Sequence, residues 1–176
     1  MNLEEKCVSS KEIYDGKIMK VRVDEVTLPD GKKSHREYIR HTGGCAVLLI
    51  IDGKVALVKQ YRYVYGKPIY EIPAGKLEKG EPPEVGAKRE CEEETGYSAE
   101  LKHLVDIYPS PGYTDEIIHI YVATSAKFVG QRVDDGEFLT CEFISLDRVI
   151  KMIESGEICD AKTVVSIYKY LSTKQI

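Results

Sequence analysis

The sequence predicts an α/β protein: a layered α/β/α domain with a mixed central sheet, preceded by a small antiparallel β-sheet. Three observations carry this expectation. Residues 11–43 alternate apolar and polar side chains, as in Lys20-Val21-Arg22-Val23-Asp24-Glu25-Val26, the period of a half-buried strand. Apolar runs of strand length then recur at 45–51, 54–60 and 69–72. Helical signals occupy 83–96, 146–155 and 160–171. A chain of 176 residues suits one medium domain with an appendage and is long enough to bury a core unaided. We divide it into an N-terminal meander over 1–43 and a main domain over 44–176.

In the meander, Pro29-Asp30-Gly31-Lys32 is a turn signal, and Thr42-Gly43-Gly44 marks the boundary. Strands 45–51 and 54–60 flank Asp52-Gly53, a strong hairpin signal. Residues 69–72 form a short strand running into Pro73-Ala74-Gly75. The first helix starts near Pro83, since proline is tolerated in a first turn, and stops at Gly96, a good C′ residue. Its core side is thin, with only Ala87 and Cys91. Gly86 inside it costs about 1 kcal/mol relative to alanine; it either lets the preceding loop pack close or is neutral variation. Strands follow at 99–108, 117–125 and 139–144, with a proline- and glycine-containing loop over 108–116. Val149, Ile150 and Ile153, then Val164, Val165, Ile167, Tyr168 and Leu171, have helical spacing, and Asp160 is a fair N-cap.

Composition narrows the function classes. Hydrophobic content of 43% and charged content of 31% describe a soluble globular chain. A net charge of −4 argues against a nucleic-acid surface, which wants clustered Lys and Arg. The longest apolar run, 45–51, is too short to span a bilayer, and the start, MNLEEKCVSS, has no apolar signal core. The five cysteines are odd in number and scattered, with no C-x-x-C pair, so a reduced, cytoplasmic setting is expected.

The chemistry concentrates in residues 75–97, GKLEKGEPPEVGAKRECEEETGY, which hold seven glutamates. Glu90, Glu93 and Glu94 share one helix face: Glu93 lies roughly 60° to one side of Glu90 and Glu94 roughly 40° to the other. Such like charges weaken a helix by a few tenths of a kcal/mol each, and a multivalent cation turns the repulsion into a binding site. Hard oxygen donors suit Mg²⁺ or Mn²⁺ better than zinc. Glu92 points about 200° away from Glu90, onto a solvated face.

The spacing resembles the Nudix box. Gly75, five residues, Glu81, seven residues, Arg89-Glu90, two residues, Glu93-Glu94, one residue and Gly96 match it at every charged and glycine position; Cys91 stands where leucine is more usual. The resemblance implies the α/β/α sandwich and a metal-dependent hydrolase of phosphoanhydrides. It implies Glu90 and Glu94 as metal ligands, Glu93 as a ligand or the group that orients the attacking water, and the Ala74 carbonyl as a further ligand. Arg89 is implied to hold a box glutamate, and Glu81 to serve either as a supporting ion pair or as an outer contact of the metal. Gly75 and Gly96 are expected where the backbone needs φ > 0 or close approach.

Two segments outside the box are similar to the ADP-ribose pyrophosphatases of that family. Ser110-Pro111-Gly112-Tyr113-Thr114-Asp115-Glu116 resembles their proline-containing loop, which implies an acid reaching the water or the metals; Glu116 is the matching position and Asp115 its rival. Val58-Lys59-Gln60-Tyr61-Arg62-Tyr63 also matches. Arg62 is either a contact to diphosphate or ribose oxygens or a surface ion pair. Tyr61, Tyr63 and Tyr65 share a face if the strand continues, as an adenine platform or as ordinary packing. The N-terminal meander resembles one that exchanges with a partner subunit, which implies a homodimer. The implied reaction is hydrolysis of ADP-ribose to AMP and ribose 5-phosphate. Alternatives are another nucleoside diphosphate-sugar such as GDP-mannose, and a nucleotide-sensing module without activity. The intact set of box glutamates counts against the sensing module.

Overall fold

The computed structural model describes residues 2–17, 19–133, 136 and 138–174, with the backbone alone at 174. The chain forms two units. One comprises Met1–Thr42 with Ser110–Glu116, the other Gly43–Pro109 with Ile117–Ile176.

The first unit is an antiparallel sheet of β1 (Lys6–Asp15), β2 (Lys20–Thr27) and β3 (Lys33–Arg40), in the order β1-β2-β3. Its turn at 28–32 is closed by Leu28 N donating to Lys32 O at 2.7 Å and Gly31 N to Leu28 O at 2.9 Å, with Gly31 at φ 86. The first strand begins at Lys6, earlier than the alternation suggests, because Lys6 already pairs with Thr27. The loop 110–116 belongs with this unit. Ile39 N donates to Tyr113 O at 2.8 Å and Asp115 N to Ile39 O at 3.3 Å, so the loop runs beside the end of β3.

The second unit contains β4 (Gly44–Leu48), β5 (Ile50–Ile51), β6 (Lys54–Arg62), β7 (Lys67–Glu71), β8 (Ala74–Lys76), α1 (Pro83–Thr95), β9 (Tyr97–Ile107), β10 (Ile118–Phe128), β11 (Leu139–Ser145), α2 (Leu146–Glu154) and α3 (Ala161–Lys174). One sheet has the order β8-β4-β10-β9. It is mixed: β4 and β10 run parallel while the other pairs are antiparallel. The other has the order β11-β6-β5, with β7 also paired to β6. The apolar run 45–51, expected as one strand, is two, because the chain leaves the mixed sheet after Leu48 and joins the second sheet at Ile50. Asp52 and Gly53 follow at φ 49 and φ 73, a pair of left-handed residues that matches the twist of a tight hairpin.

Alternation along β4 builds the layers. Ala46 and Leu48 pack with Ile72, Ile120, Val149, Met152, Ile158 and Ile167, on the side of α2 and α3. Cys45, Val47 and Leu49 pack with Ala87, Cys91, Ala99 and Tyr121, on the side of α1. Ala87 and Cys91 are the fully buried apolar side chains of α1, so most of this helix surface is left for charge. All five cysteines are free thiols. No helix among the described residues is long and apolar enough to cross a membrane.

Candidate active site

Helix α1 ends as the sequence predicts. Gly96 takes φ 78 and donates its N–H to Glu92 O at 2.9 Å. A side chain there would meet Gln131 N at 2.7 Å, so both conformation and space call for glycine. Gly86 answers the question left by its propensity cost. A Cβ at Gly86 would lie 2.8 Å from Leu77 Cδ2 and 2.9 Å from Glu81 Oε2, so the loop before the helix packs directly onto it.

Arg89 organises the carboxylates. Its Nε donates to Glu81 Oε1 at 3.1 Å and its Nη2 to Glu81 Oε2 at 3.2 Å. Its Nη1 donates to Glu90 Oε1 at 2.7 Å and to Glu93 Oε2 at 3.0 Å. Nη2 also reaches Lys76 O at 3.3 Å. The hydrogen bonds to Glu81 hold the Arg89 guanidinium charged well above its ordinary value, against the effect of burial, and in turn hold the Glu81 carboxyl below the usual range. Glu81 is therefore an ion-pair partner of Arg89, and it also accepts from Glu78 N at 2.9 Å.

The other two sides of the cluster are backbone. Glu94, 6% exposed, accepts the Ala74 N–H on Oε2 at 2.8 Å. The Glu90 carboxylate lies over Gly75, where a Cβ would come within 1.9 Å of its Oε1. Gly75 is thus a close-approach position. Cys45 lies beneath, with Sγ 3.7 Å from Gly75 O; burial first, then the nearby Glu90 charge, pushes its thiol up to about 12.

The structure thus brings Glu90, Glu93, Glu94, Arg89, Glu81, Ala74 and Gly75 together. Among the described residues, no three His, Cys, Asp or Glu side chains stand gathered as a finished cation cage; Arg89 and the Ala74 amide occupy the carboxylate oxygens named above. The donor set nevertheless fits a hard divalent ion. It is all oxygen, and the missing Cβ of Gly75 opens a cradle beside Ala74 that one carboxylate already enters.

Glu116 and Asp115 lie in the first unit. Asp115 is committed: Arg40 Nη1 donates to its Oδ2 at 2.7 Å and His41 N to its Oδ1 at 2.8 Å. Glu116 Oε1 stands 3.5 Å from His41 Nδ1. In the second unit, Arg62 forms the ion pair that was one of its two expected roles. Its Nε and Nη2 donate to Glu71 Oε2 at 2.9 and 2.6 Å, while 41% of the side chain stays exposed. The alternating tyrosine face does not extend past Tyr61. The strand ends at Arg62, and Tyr63–Tyr65 turn as a 3-10 helix, because Gly66 at φ 64 closes onto Tyr63 O and Arg62 O. Tyr61 itself is 57% exposed.

Sequence reasoning missed the partners of this region. Glu71 also accepts from Lys162 Nζ at 2.9 Å, across 91 residues, and Gln131 Nε2 donates to Glu94 O at 2.6 Å. The available signal was a lone acid inside the apolar stretch Ile69-Tyr70-Glu71-Ile72, which a buried strand tolerates only with a partner.

Comparison with known proteins agrees with this geometry. Residues 40–164 match the NUDIX domain family, and residues 5–39 match the nucleoside diphosphate sugar hydrolase N-terminal domain. The chain is 44% identical to the ADP-ribose pyrophosphatase of Bacillus subtilis (strain 168), covering 99% of this chain and 96% of that one. It is also 44% identical to the methanol dehydrogenase activator of Bacillus methanolicus, covering 98% and 95%. A crystal structure of an ADP compounds hydrolase superposes with TM-score 0.89 at 19% identity, covering 99% of this chain and 97% of that one, which establishes the fold. Enzymes of the matched family act with divalent metal ions. The chain belongs to the Nudix family of pyrophosphohydrolases.

Proposed function

We propose that this protein hydrolyses the diphosphate of ADP-ribose to AMP and ribose 5-phosphate, with Mg²⁺ as cofactor and Mn²⁺ as a substitute. The observation that carries the reading is the carboxylate cluster at the end of α1, pinned by Arg89 and by the Ala74 amide against a backbone bared by Gly75. The name and 44% identity of the Bacillus subtilis relative support the substrate.

In this reading Glu90, Glu93, Glu94 and the Ala74 carbonyl would hold the ions. Bound divalent cations neutralise the diphosphate and lower the pKa of a water. The protein's own groups do the rest. Arg89 fixes the carboxylates without touching substrate. Glu93 accepts or steers the proton of the attacking water, and Glu116 is the second acid, since Asp115 is committed to Arg40 and His41. Water oxygen bonds to one phosphorus as the bridging P–O bond breaks, and the leaving phosphate takes the displaced electron pair. Arg62 and Tyr61 bind substrate through a planar cation and an exposed aromatic face.

The same reading places the protein in the cytoplasm as a homodimer with a meander over 1–43 and a catalytic domain over 44–176. The dimer is supported by β1, exposed along its whole length with Val8, Ile13 and Tyr14 outward, an edge that a partner would cover. Light scattering reporting a monomer at micromolar concentration would overturn it. The activity is tested by measuring AMP release from ADP-ribose at saturating Mg²⁺, with and without EDTA, beside GDP-mannose. Release that EDTA abolishes and Mg²⁺ restores is expected. No release, or a higher kcat/KM for GDP-mannose, defeats the assignment.

A further inference from the structure

We propose that Lys162 is a positioning residue for Arg62, acting through Glu71; this rests on Arg62 contacting substrate, as assigned above. Glu71 and Lys162 are both buried, with side chains 7% and 10% exposed. The two oxygens of Glu71 are divided between two cations. Oε1 accepts from Lys162 Nζ at 2.9 Å, and Oε2 accepts from Arg62 Nε and Nη2 at 2.9 and 2.6 Å. Lys162 is itself fixed, since its Nζ also donates to Asp160 Oδ1 at 3.0 Å. Asp160 Oδ2 accepts from Thr163 N at 2.9 Å and Thr163 Oγ1 at 2.6 Å. The Thr163 hydroxyl in turn accepts the Ile72 N–H at 2.8 Å.

The chain of bonds therefore runs from the first turn of α3 to the end of β6 and to Ile72, just after β7 and two residues before Ala74. A buried ion pair is a poor device for stability alone, because apolar residues of the same volume often do as well. It is an effective device for orientation. With Oε1 held by Lys162, the Glu71 carboxylate cannot rotate, and Oε2 presents one fixed acceptor to Arg62. The guanidinium is then locked on the edge carrying Nε and Nη2, while the exposed part of the side chain remains open to a phosphate or ribose oxygen. A planar cation that recognises such oxygens depends on being pre-oriented. Removing the Lys162 ammonium frees the carboxylate, and Arg62 follows it.

The test compares K162M, R62A and the double variant in steady-state hydrolysis of ADP-ribose with Mg²⁺, well below the melting temperature of each. K162M should raise KM about tenfold, the equivalent of a charge-assisted contact held in the wrong place, with kcat within about twofold of wild type. R62A should raise KM at least as much, and the double variant no further than R62A. Hydrogen exchange of the Arg62 Nε–H, followed by NMR without substrate, should be faster in K162M than in wild type. An unchanged KM in K162M beside an impaired R62A overturns the positioning role, as do effects that multiply in the double variant. An unchanged KM in R62A removes Arg62 from the substrate and the role of Lys162 with it. If wild type releases no AMP, the assigned activity fails, and unchanged Nε–H exchange in K162M separately overturns the coupling. E71Q, which keeps the side-chain volume, replaces K162M with the same expectations if that variant does not fold.

Discussion

Gly75→Ala separates the site from the fold more sharply than any charge change. A methyl group on Gly75 would lie 1.9 Å from Glu90 Oε1, 2.0 Å from Cδ and 2.4 Å from Oε2. Ordinary contact begins near 3.4 Å, so the carboxylate must retreat by about 1.5 Å, the difference between 3.4 and 1.9 Å. Gly75 is not among the glycines at positive φ, so alanine adopts its backbone without strain. The obstructing atoms are the tip of a flexible side chain, which moves cheaply. Folding gains about 0.4–1 kcal/mol from the stiffer unfolded chain and loses about 1.5–3 kcal/mol if the Arg89–Glu90 bond breaks. The net loss of about 1–2 kcal/mol lowers Tm by several degrees. Catalysis suffers far more, since a misplacement of about 1 Å at a reacting centre costs about a hundredfold. The expected result is kcat for AMP release down by about a hundredfold or more, with a cooperative melt only a few degrees lower. A kcat within fivefold of wild type would refute the view that Glu90 must lie over bare backbone, and a collapsed melt would make Gly75 a folding residue instead.

Three further outcomes are expected. Glu94→Gln should lower kcat by several orders of magnitude while keeping the fold, because an amide oxygen still accepts the Ala74 N–H, whereas Glu92→Gln should stay near wild type; equal behaviour of the two would refute the helix-face assignment. Arg89→Met should flatten the acid limb of stability. The Glu81 carboxyl is held below its ordinary value by Arg89, so its stabilisation is present above the unfolded value of about 4.3 and is lost as pH falls through the lower folded value. The Tm gap between wild type and variant should therefore be wide at pH 7 and close below about pH 4, and a gap constant from pH 7 to pH 3 contradicts the pairing. Burial pushes the Cys45 thiol up to about 12 and those of Cys91 and Cys141 up to about 11, so a thiol reagent at pH 8 should leave these three unreacted in the native protein and titrate all five cysteines after denaturation. A third fast thiol would refute this.

The elements legible in the sequence are those whose signals are local. Asp52-Gly53 marks its hairpin because both residues take positive φ, and Gly96 ends α1 because only glycine suits both its φ and its surroundings. The layers were legible from period, since alternate residues of β4 divide between the two core clusters. Less legible were features decided by pairing at a distance. The break after Leu48 depends on which sheet each half joins, and nothing in the apolar run 45–51 records it. The loop 110–116 reads as a connection between β9 and β10, yet its backbone pairs with Ile39, a partner seventy and more residues earlier. The tyrosine alternation misled past Tyr61 because Gly66 closes a turn that side-chain pattern does not encode.

The site divides along the same line. Helical pitch alone places Glu90, Glu93 and Glu94 on one face, but the pattern left two roles open for Glu81. Hydrogen-bond geometry supports the ion-pair role. Arg89 spends its Nε and Nη2 edge on both oxygens of Glu81, the fork arrangement that fixes a guanidinium in plane. Its Nη1 alone is shared between Glu90 and Glu93. The two sets of bonds have different uses. The fork anchors Arg89 to the loop that Gly86 lets onto the helix. The shared Nη1 counters the repulsion between Glu90 and Glu93. A box of four crowded carboxylates thus folds against the Arg89 guanidinium and the backbone amides of Ala74 and Glu78, and its excess negative charge is held where a cation with a diphosphate would compensate it.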